Sequence, residues 1–244
     1  MDRTTTLPRP VSLKSGIVPP LENGDRLTRA EFERRYQATP ERQKAELIEG
    51  VVYLASPVRW TRHSKPTFLL ATWLGVYEAN TPGTEGGDNG TVRLDMENEP
   101  QPDVFLRISP DRGGQSGTSN DDYVEGAPEL VVEVAGSSAS IDLHDKLDAY
   151  HRNRVREYIV WRVPDRELIW LIWREERYER LIPDTSGAIA SEVFPGLWLD
   201  VAALLQGDLA KVLAVLQQGL IGPEHSAFVE RLQASGSSSP KRQV

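Results

Sequence analysis

The sequence predicts an α/β or α+β domain built on a mixed β-sheet, and three observations carry that expectation. Three apolar runs, Asp103–Ile108, Glu129–Ala135 and Glu157–Val163, have strand length and are bounded by Gly, Pro or Asp. Two other stretches repeat their apolar residues at helical spacing: Phe68, Leu69, Leu70, Trp73, Leu74 and Tyr77, then Leu143, Leu147 and Tyr150. The resulting order, hairpin, helix, strands, helix, strands, suits a sheet with helices packed on it.

Taken in order, residues 1–24 are rich in Pro and Thr without periodicity and are expected to be a mobile arm. Thr28, with Glu31 three residues on, is a capping-box start for a helix. Ala45–Ile48 and Val51–Leu54 flank Glu49-Gly50 and read as a β-hairpin. An amphipathic helix over about 62–79 follows, then a Gly-rich loop from Thr81 to Gly90. Thr91–Asp95 reads as a further strand, and Ser109–Gly126 as a long polar loop of the kind that is often functional. A helix is expected over Ile141–Arg152, strands over Leu168–Trp173 and Tyr178–Ile182, one helix over Asp200–Gln218 and a short one over Glu224–Gln233. The Ser-rich end from residue 235 is expected to be disordered, leaving one domain over 25–234. No internal repeat is visible.

The chain has 244 residues, 39% hydrophobic and 26% charged, as in ordinary globular proteins. It has no cysteine, which excludes disulfide scaffolds and thiolate metal sites and leaves only oxygen or imidazole ligands. No apolar run approaches the roughly 20 residues that span a bilayer, and no signal core follows Met1, so no membrane partner and a cytoplasmic location are expected. The net charge of −8 is not that of a protein with a globally basic nucleic-acid face, although a metal-binding site contributes acids of its own.

Two carboxylates stand inside apolar strand runs: Asp103 in Pro102-Asp103-Val104-Phe105-Leu106 and Glu133 in Leu130-Val131-Val132-Glu133-Val134. Burying a carboxylate is costly unless a cation, hydrogen bonds or a metal compensates. Strand alternation puts Asp103 with Phe105 on one face, and Glu133 with Val131 and Ala135 on one face, so adjacent strands would bring the acids together. Two carboxylates side by side repel unless a divalent cation bridges them. Mg²⁺, with Mn²⁺ as a substitute, suits such hard oxygen ligands and commonly adds a substrate phosphate. Lys146 lies in the first turns of the next helix, from where its ammonium can reach back to orient water or offset developing charge. This is the layout of a metal-dependent phosphodiesterase.

The chain resembles the Uma-two family of restriction-type endonucleases within the PD-(D/E)xK nuclease superfamily. The resemblance rests on Glu46-Leu47-Ile48-Glu49-Gly50, Ser56-Pro57 with His63, Pro102-Asp103-Val104, and Gly126-Ala127-Pro128-Glu129-Leu130-Val131-Val132-Glu133-Val134. It continues through Lys146-Leu147-Asp148-Ala149-Tyr150 and Val155-Arg156-Glu157-Tyr158, spanning about residues 27–200. It implies a restriction-endonuclease-like α/β core, Mg²⁺-dependent hydrolysis of DNA phosphodiester bonds, and homodimerisation. Asp103 and Glu133 would be metal ligands, Lys146 the catalytic lysine and Glu46 a helper ligand. The superfamily's usual lysine position is occupied by Ala135, Ser64 follows His63 where Gln is usual, Gly136 stands where a Ser-Pro stretch often begins, and Arg162 replaces an Asp. The alternative is a non-catalytic nucleic-acid- or protein-binding module that keeps the fold; hydrolysis of a small phosphoester is a third reading.

Weaker signals point both ways. His63 precedes a helix and suits either substrate contact or helix entry, whereas His144 and His151 lack ligand partners and read as surface. Taken alone, Glu46 reads as an edge-strand acid facing solvent. Arg152, Arg154 and Arg156 form a basic cluster that suits phosphates or plain solvent. Trp161, Trp170 and Trp173 read as packing residues, and Gly86–Gly90 lacks the Lys-Ser/Thr of a phosphate-cradling loop.

Overall fold

The computed structural model describes residues 18–39, 44–136 and 138–236. Most of the expected N-terminal arm, residues 1–17, and residues 237–244 of the expected tail lie outside these. Residues 18–24 run along the first hairpin, with Leu21 packed beside Phe32 and Leu47 and the Gly24 amide donating to the Val52 carbonyl.

Helix α1 (Arg29–Ala38) starts where the Thr28 hydroxyl accepts from the Glu31 amide. It covers the hairpin of β1 (Ala45–Ile48) and β2 (Val51–Leu54), whose turn residues Glu49 and Gly50 both take the positive φ that a two-residue turn requires. The second helix opens as a π turn, Trp60–Ser64, and continues as α2 (Lys65–Asn80). Leu69, Leu70, Trp73, Leu74 and Tyr77 form its buried face.

The expected glycine loop is instead an edge strand, β3 (Thr84–Asp88). The Phe105 ring lies over Gly87, where a Cβ would collide with it, so glycine here is a packing requirement rather than a turn signal. β4 (Val92–Arg93) leaves the main sheet and joins a small one made with parts of the supposed long loop: it pairs with β7 (Val124–Glu125), which in turn pairs with β6 (Gly117–Thr118). β5 (Val104–Ile108) and β8 (Leu130–Ala135) follow the sequence expectation closely. The next helix is broken into α3 (Ala139–Asp142) and α4 (Asp145–Arg152) by His144, which takes the non-helical φ −128°, ψ −87°, and the Tyr158 hydroxyl donates to the Asp142 carbonyl at the break.

β9 (Glu157–Arg162), β10 (Glu167–Arg174) and β11 (Arg177–Arg180) complete a six-stranded sheet of order β11-β10-β9-β8-β5-β3. β8 and β9 are parallel and the other pairs antiparallel, so the sheet is mixed. The two parallel strands are buried on both faces, as such strands generally are. A short antiparallel pair, β12 (Ala188–Ala190) and β13 (Trp198–Asp200), was not legible in sequence. The single helix expected over 200–218 is two, α5 (Val201–Gln206) and α6 (Leu209–Leu220). Gly207 at φ +76° ends the first, and the Asp208 side chain caps the second. α7 (Pro223–Gly236) closes the chain's described part.

One sheet face packs against α2, α5, α6 and α7, with Trp73 and Trp170 edge to face at 5.8 Å. The other face carries Phe105, Val131, Ala135, Tyr158 and Val160 beneath α4 and the small sheet. That second face carries the acids.

Candidate active site

Register does the first part of the construction. β5 pairs antiparallel with β8 through Val104↔Val132, so one step beyond the ladder Asp103 faces Glu133. Asp103 turns one carboxylate oxygen to the Val134 amide, which donates to Oδ2 at 2.7 Å. Its Oδ1 lies 3.0 Å from His63 Nε2, delivered by the π turn ahead of α2. Burial alone would raise the Asp103 carboxyl, but His63, the Val134 amide and Lys146 outweigh it and hold Asp103 below the usual carboxylate range.

Glu133 is fully enclosed in β8. Its Oε1 accepts from Lys146 Nζ at 2.9 Å and from the Tyr150 hydroxyl at 2.8 Å. Lys146 sits in the first turn of α4, and its ammonium also lies 3.0 Å from Glu46 Oε1 and 3.9 Å from Asp142 Oδ1. Glu46 therefore points inward from β1, contrary to its single-residue reading as a solvent-facing edge acid. The Gln101 amide donates to the same oxygen at 2.7 Å and fixes it there. Burial pushes Glu133 up to about 8, Lys146 opposes that, and Asp103, Asp142 and Glu46 add to it. Lys146 is buried too, yet Glu133, Glu46 and Asp142 hold its pKa well above that of a free lysine. Asp142 is raised by burial against the pull of Lys146 and Ser138.

Glu46, Asp103, Glu133 and Asp142 thus outnumber the single ammonium among them. The donor set is hard oxygen throughout, and surplus buried negative charge favours a divalent cation. Among the described residues no group of three or more His, Asp or Glu side chains forms a ready-made cage. Mg²⁺ does not need one, since one or two carboxylates plus substrate phosphate are its usual protein ligation. Asp103 and Glu133 fit that requirement, with Lys146 now holding the cationic position beside Glu133.

The structure brings Asp103, Glu133, Lys146 and Glu46 together. It adds Asp142, Tyr150 and His63, of which sequence reasoning had noted only His63 as more than structure. The signal for the first two was spacing: Lys146 and Tyr150 lie four apart on α4 and face the same way, and Asp142, four residues before Lys146, ends α3 within 3.9 Å of its ammonium. The basic cluster disperses. Arg152 pairs with Glu49, Arg154 lies over the Trp173 ring at 5.7 Å, and Arg156 donates to Gln115 Oε1 at 3.2 Å. His144 is exposed, and His151 meets the Glu176 carbonyl at 2.8 Å.

A family model, Uma2, described as "Putative restriction endonuclease", matches residues 29–202. Among solved structures, the chain is similar to the crystal structure of a putative nuclease belonging to DUF820 from Anabaena variabilis ATCC 29413. The TM-score is 0.53 at 12% identity, over 71% of this chain and 97% of that one, a likeness of fold alone. No curated protein matches. No helix among the described residues is long and apolar enough to cross a membrane.

Proposed function

The chain belongs to the Uma2 family of putative restriction endonucleases, and from that premise we propose that it hydrolyses phosphodiester bonds of DNA with Mg²⁺. The observation that carries this reading is the Lys146 ammonium set between Glu133 and Glu46, with Asp103 facing Glu133 across the next strand. Asp103 and Glu133 would hold the ion, which would polarise the scissile phosphate and acidify a bound water. Lys146 orients the attacking water and offsets charge developing on the phosphate. Glu46 keeps that ammonium over the site rather than on Glu133 alone. His63 fixes the rotamer of Asp103, and Tyr150 fixes that of Glu133, so both carboxylates are oriented in advance.

Supercoiled plasmid incubated with protein and Mg²⁺ tests the reading. The wild type should nick it, and Asp103→Asn and Lys146→Ala should each lower the rate by about 100-fold or more, the scale of one electrostatic or general acid–base contribution. Chelation with EDTA should abolish nicking. Equal nicking by wild type and both variants would overturn the assignment.

A further inference from the structure

A second feature stands beside this site, in the segment that delivers His63. From Val51 to Tyr77 the chain carries no Asp or Glu, although it has 36 of them in 244 residues. That run contains Arg59, Arg62 and Lys65, so a protein of net charge −8 concentrates positive charge next to its candidate active site. Residues 55–62 are all exposed. Among the described residues the Arg59 and Arg62 side chains enter no hydrogen bond or ion pair, unlike Arg93, Arg107 or Arg162, which are held by carboxylates.

The same segment exposes apolar surface. Val58, Trp60 and Phe68 are three of the six large hydrophobic side chains left exposed among the described residues, and Trp60 is 66% exposed. The Lys65 ammonium lies 5.3 Å from the centre of the Phe68 ring. A cleft of about 280 Å³ opens between Val58, His63, Thr67 and Phe68 on one side and Asp88 and Asn89 on the other. It is just under the roughly 300–1,000 Å³ of small-molecule pockets, the scale of one base rather than of a large cofactor. Asp88 is the single acid facing it, and a carboxylate suits the amino edge of a base rather than a phosphate. The π turn itself is a rare form that is frequent at functional sites.

We propose that the Val58–Phe68 segment is a binding strap for single-stranded DNA, with Trp60 stacking on an unpaired base and Arg59, Arg62 and Lys65 engaging phosphates. Exposed aromatics interleaved with unpaired cations are the means by which proteins grip single strands, because a base offers its face only when unstacked. The strap rests on the nuclease reading and deepens it: His63 joins it to Asp103, so a strand held there is led to the acids. The strap would favour a frayed end, flap or overhang, or the locally unpaired stretches of a supercoiled plasmid, over a relaxed duplex.

The test is binding of labelled oligo(dT) to the full chain in EDTA, where no cleavage is needed, with a blunt duplex as comparison. Trp60→Ala should weaken oligo(dT) binding by about 10- to 100-fold, the range of one lost stacking contact, and leave duplex binding unchanged. Quenching of tryptophan fluorescence by oligo(dT) should fall steeply with it, since Trp60 is the one exposed tryptophan among the described residues, Trp73, Trp161 and Trp170 being buried and Trp173 and Trp198 half-buried. The joint Arg59→Ala and Arg62→Ala variant should lower the salt slope of single-strand binding by about 0.7 for each cation removed. Melting curves should match the wild type, as all three side chains are exposed. Unchanged oligo(dT) affinity in Trp60→Ala overturns the proposal, as does Trp60 responding to anionic lipid vesicles and not to oligo(dT). Trp60-dependent binding without Mg²⁺-dependent cleavage would sink the nuclease reading alone. Cleavage of flapped DNA with unaltered KM in these variants would sink the strap alone.

Discussion

Asp103, Glu129, Glu133 and Glu157 all interrupt apolar strand runs and look alike in one dimension, but their partners divide them into two kinds. Glu129 accepts from the amides of Ile108 and Gln115, both at 2.8 Å, and ties the end of β5 to the following loop. Burial pushes Glu157 up to about 7 against four donors: Ser191, the Val193 and Glu192 amides, and Trp170. Only Glu133 meets an ammonium, and only Asp103 meets a histidine. None of these partners lies within five residues of its acid, which is why the placement of two acids was legible and their neighbours were not. Glu157→Gln would set an amide N–H₂ against one pair of donors, leaving buried groups unpaired, and should cost about 2–4 kcal/mol in urea unfolding at pH 7. Lys146→Ala should cost about 3–5 kcal/mol, because it strands buried carboxylates without their cation. Millimolar Mg²⁺ should restore part of that loss in the same experiment, whereas it should do nothing for Glu157→Gln. An equal response of both variants to Mg²⁺ would separate the ion from the Asp103–Glu133 cluster.

Where elements join, the sequence signals were real but were assigned to the wrong cause. Gly86 and Gly87 looked like a loop and are an edge strand kept clear for a ring; the broken helices at Leu143-His144 and Gly207-Asp208 looked continuous because helical periodicity carries across a one- or two-residue break. Gly136 looked like a departure from the family pattern, and its reason lies in packing. A Cβ there would sit 2.6 Å from the Arg62 carbonyl, so glycine lets the π turn close against the end of β8 and bring His63 to Asp103. Gly136→Ala should displace that turn at a cost of about 1–3 kcal/mol, typical of overpacking. Its nicking rate should fall by much more than this loss of stability explains, because the fold survives while Asp103 loses its partner. A rate matching wild type at a temperature where both are folded would count against that coupling. At the start of α5, Asp200 accepts from the Ala203 amide at 2.8 Å and lies 2.9 Å from Lys211 Nζ. Burial would raise Asp200, but the amide and Lys211 prevail and hold it below the usual range. A lowered folded pKa means that the cap stabilises above the unfolded value, near 3.8, and that its contribution fades as pH falls through the folded one. Asp200→Ala should therefore cost about 1–2 kcal/mol at neutral pH. The gap from wild type should hold down to about pH 4 and narrow below it, measured by urea unfolding across that range.

At the scale of the whole molecule, the mixed sheet with helices on both faces was legible because β5, β8 and β9 are predominantly apolar, and α2 has an uninterrupted buried stripe. The contribution of the last two helices was not, since Leu- and Ala-rich periodicity does not say what a helix packs against. The family model ends at residue 202, yet Val212, Leu216, Leu220, Phe228 and Leu232 lie in the same core as Trp73, Leu74 and Tyr77. His225 joins α7 to the end of α2 through Thr81 Oγ1 and to α6 through the Leu220 carbonyl, each at 2.9 Å. Arg112 donates to the Leu232 carbonyl at 3.0 Å from the far end of β5. Each of the five apolar side chains contributes roughly 1.5–3 kcal/mol by burial, and a domain's whole stability is about 5–15 kcal/mol. Their joint loss is therefore as large as the stability itself, so α6 and α7 belong to the folding unit and are not an appendage to the matched region. A chain ending at Gln206 should lack a cooperative thermal transition and bind a hydrophobic dye, while one ending at Gly236 should melt as the full chain does. A cooperative melt of the Gln206 form within a few degrees of the full chain would mean that the sheet and α2 suffice, and that α6 and α7 only cover them.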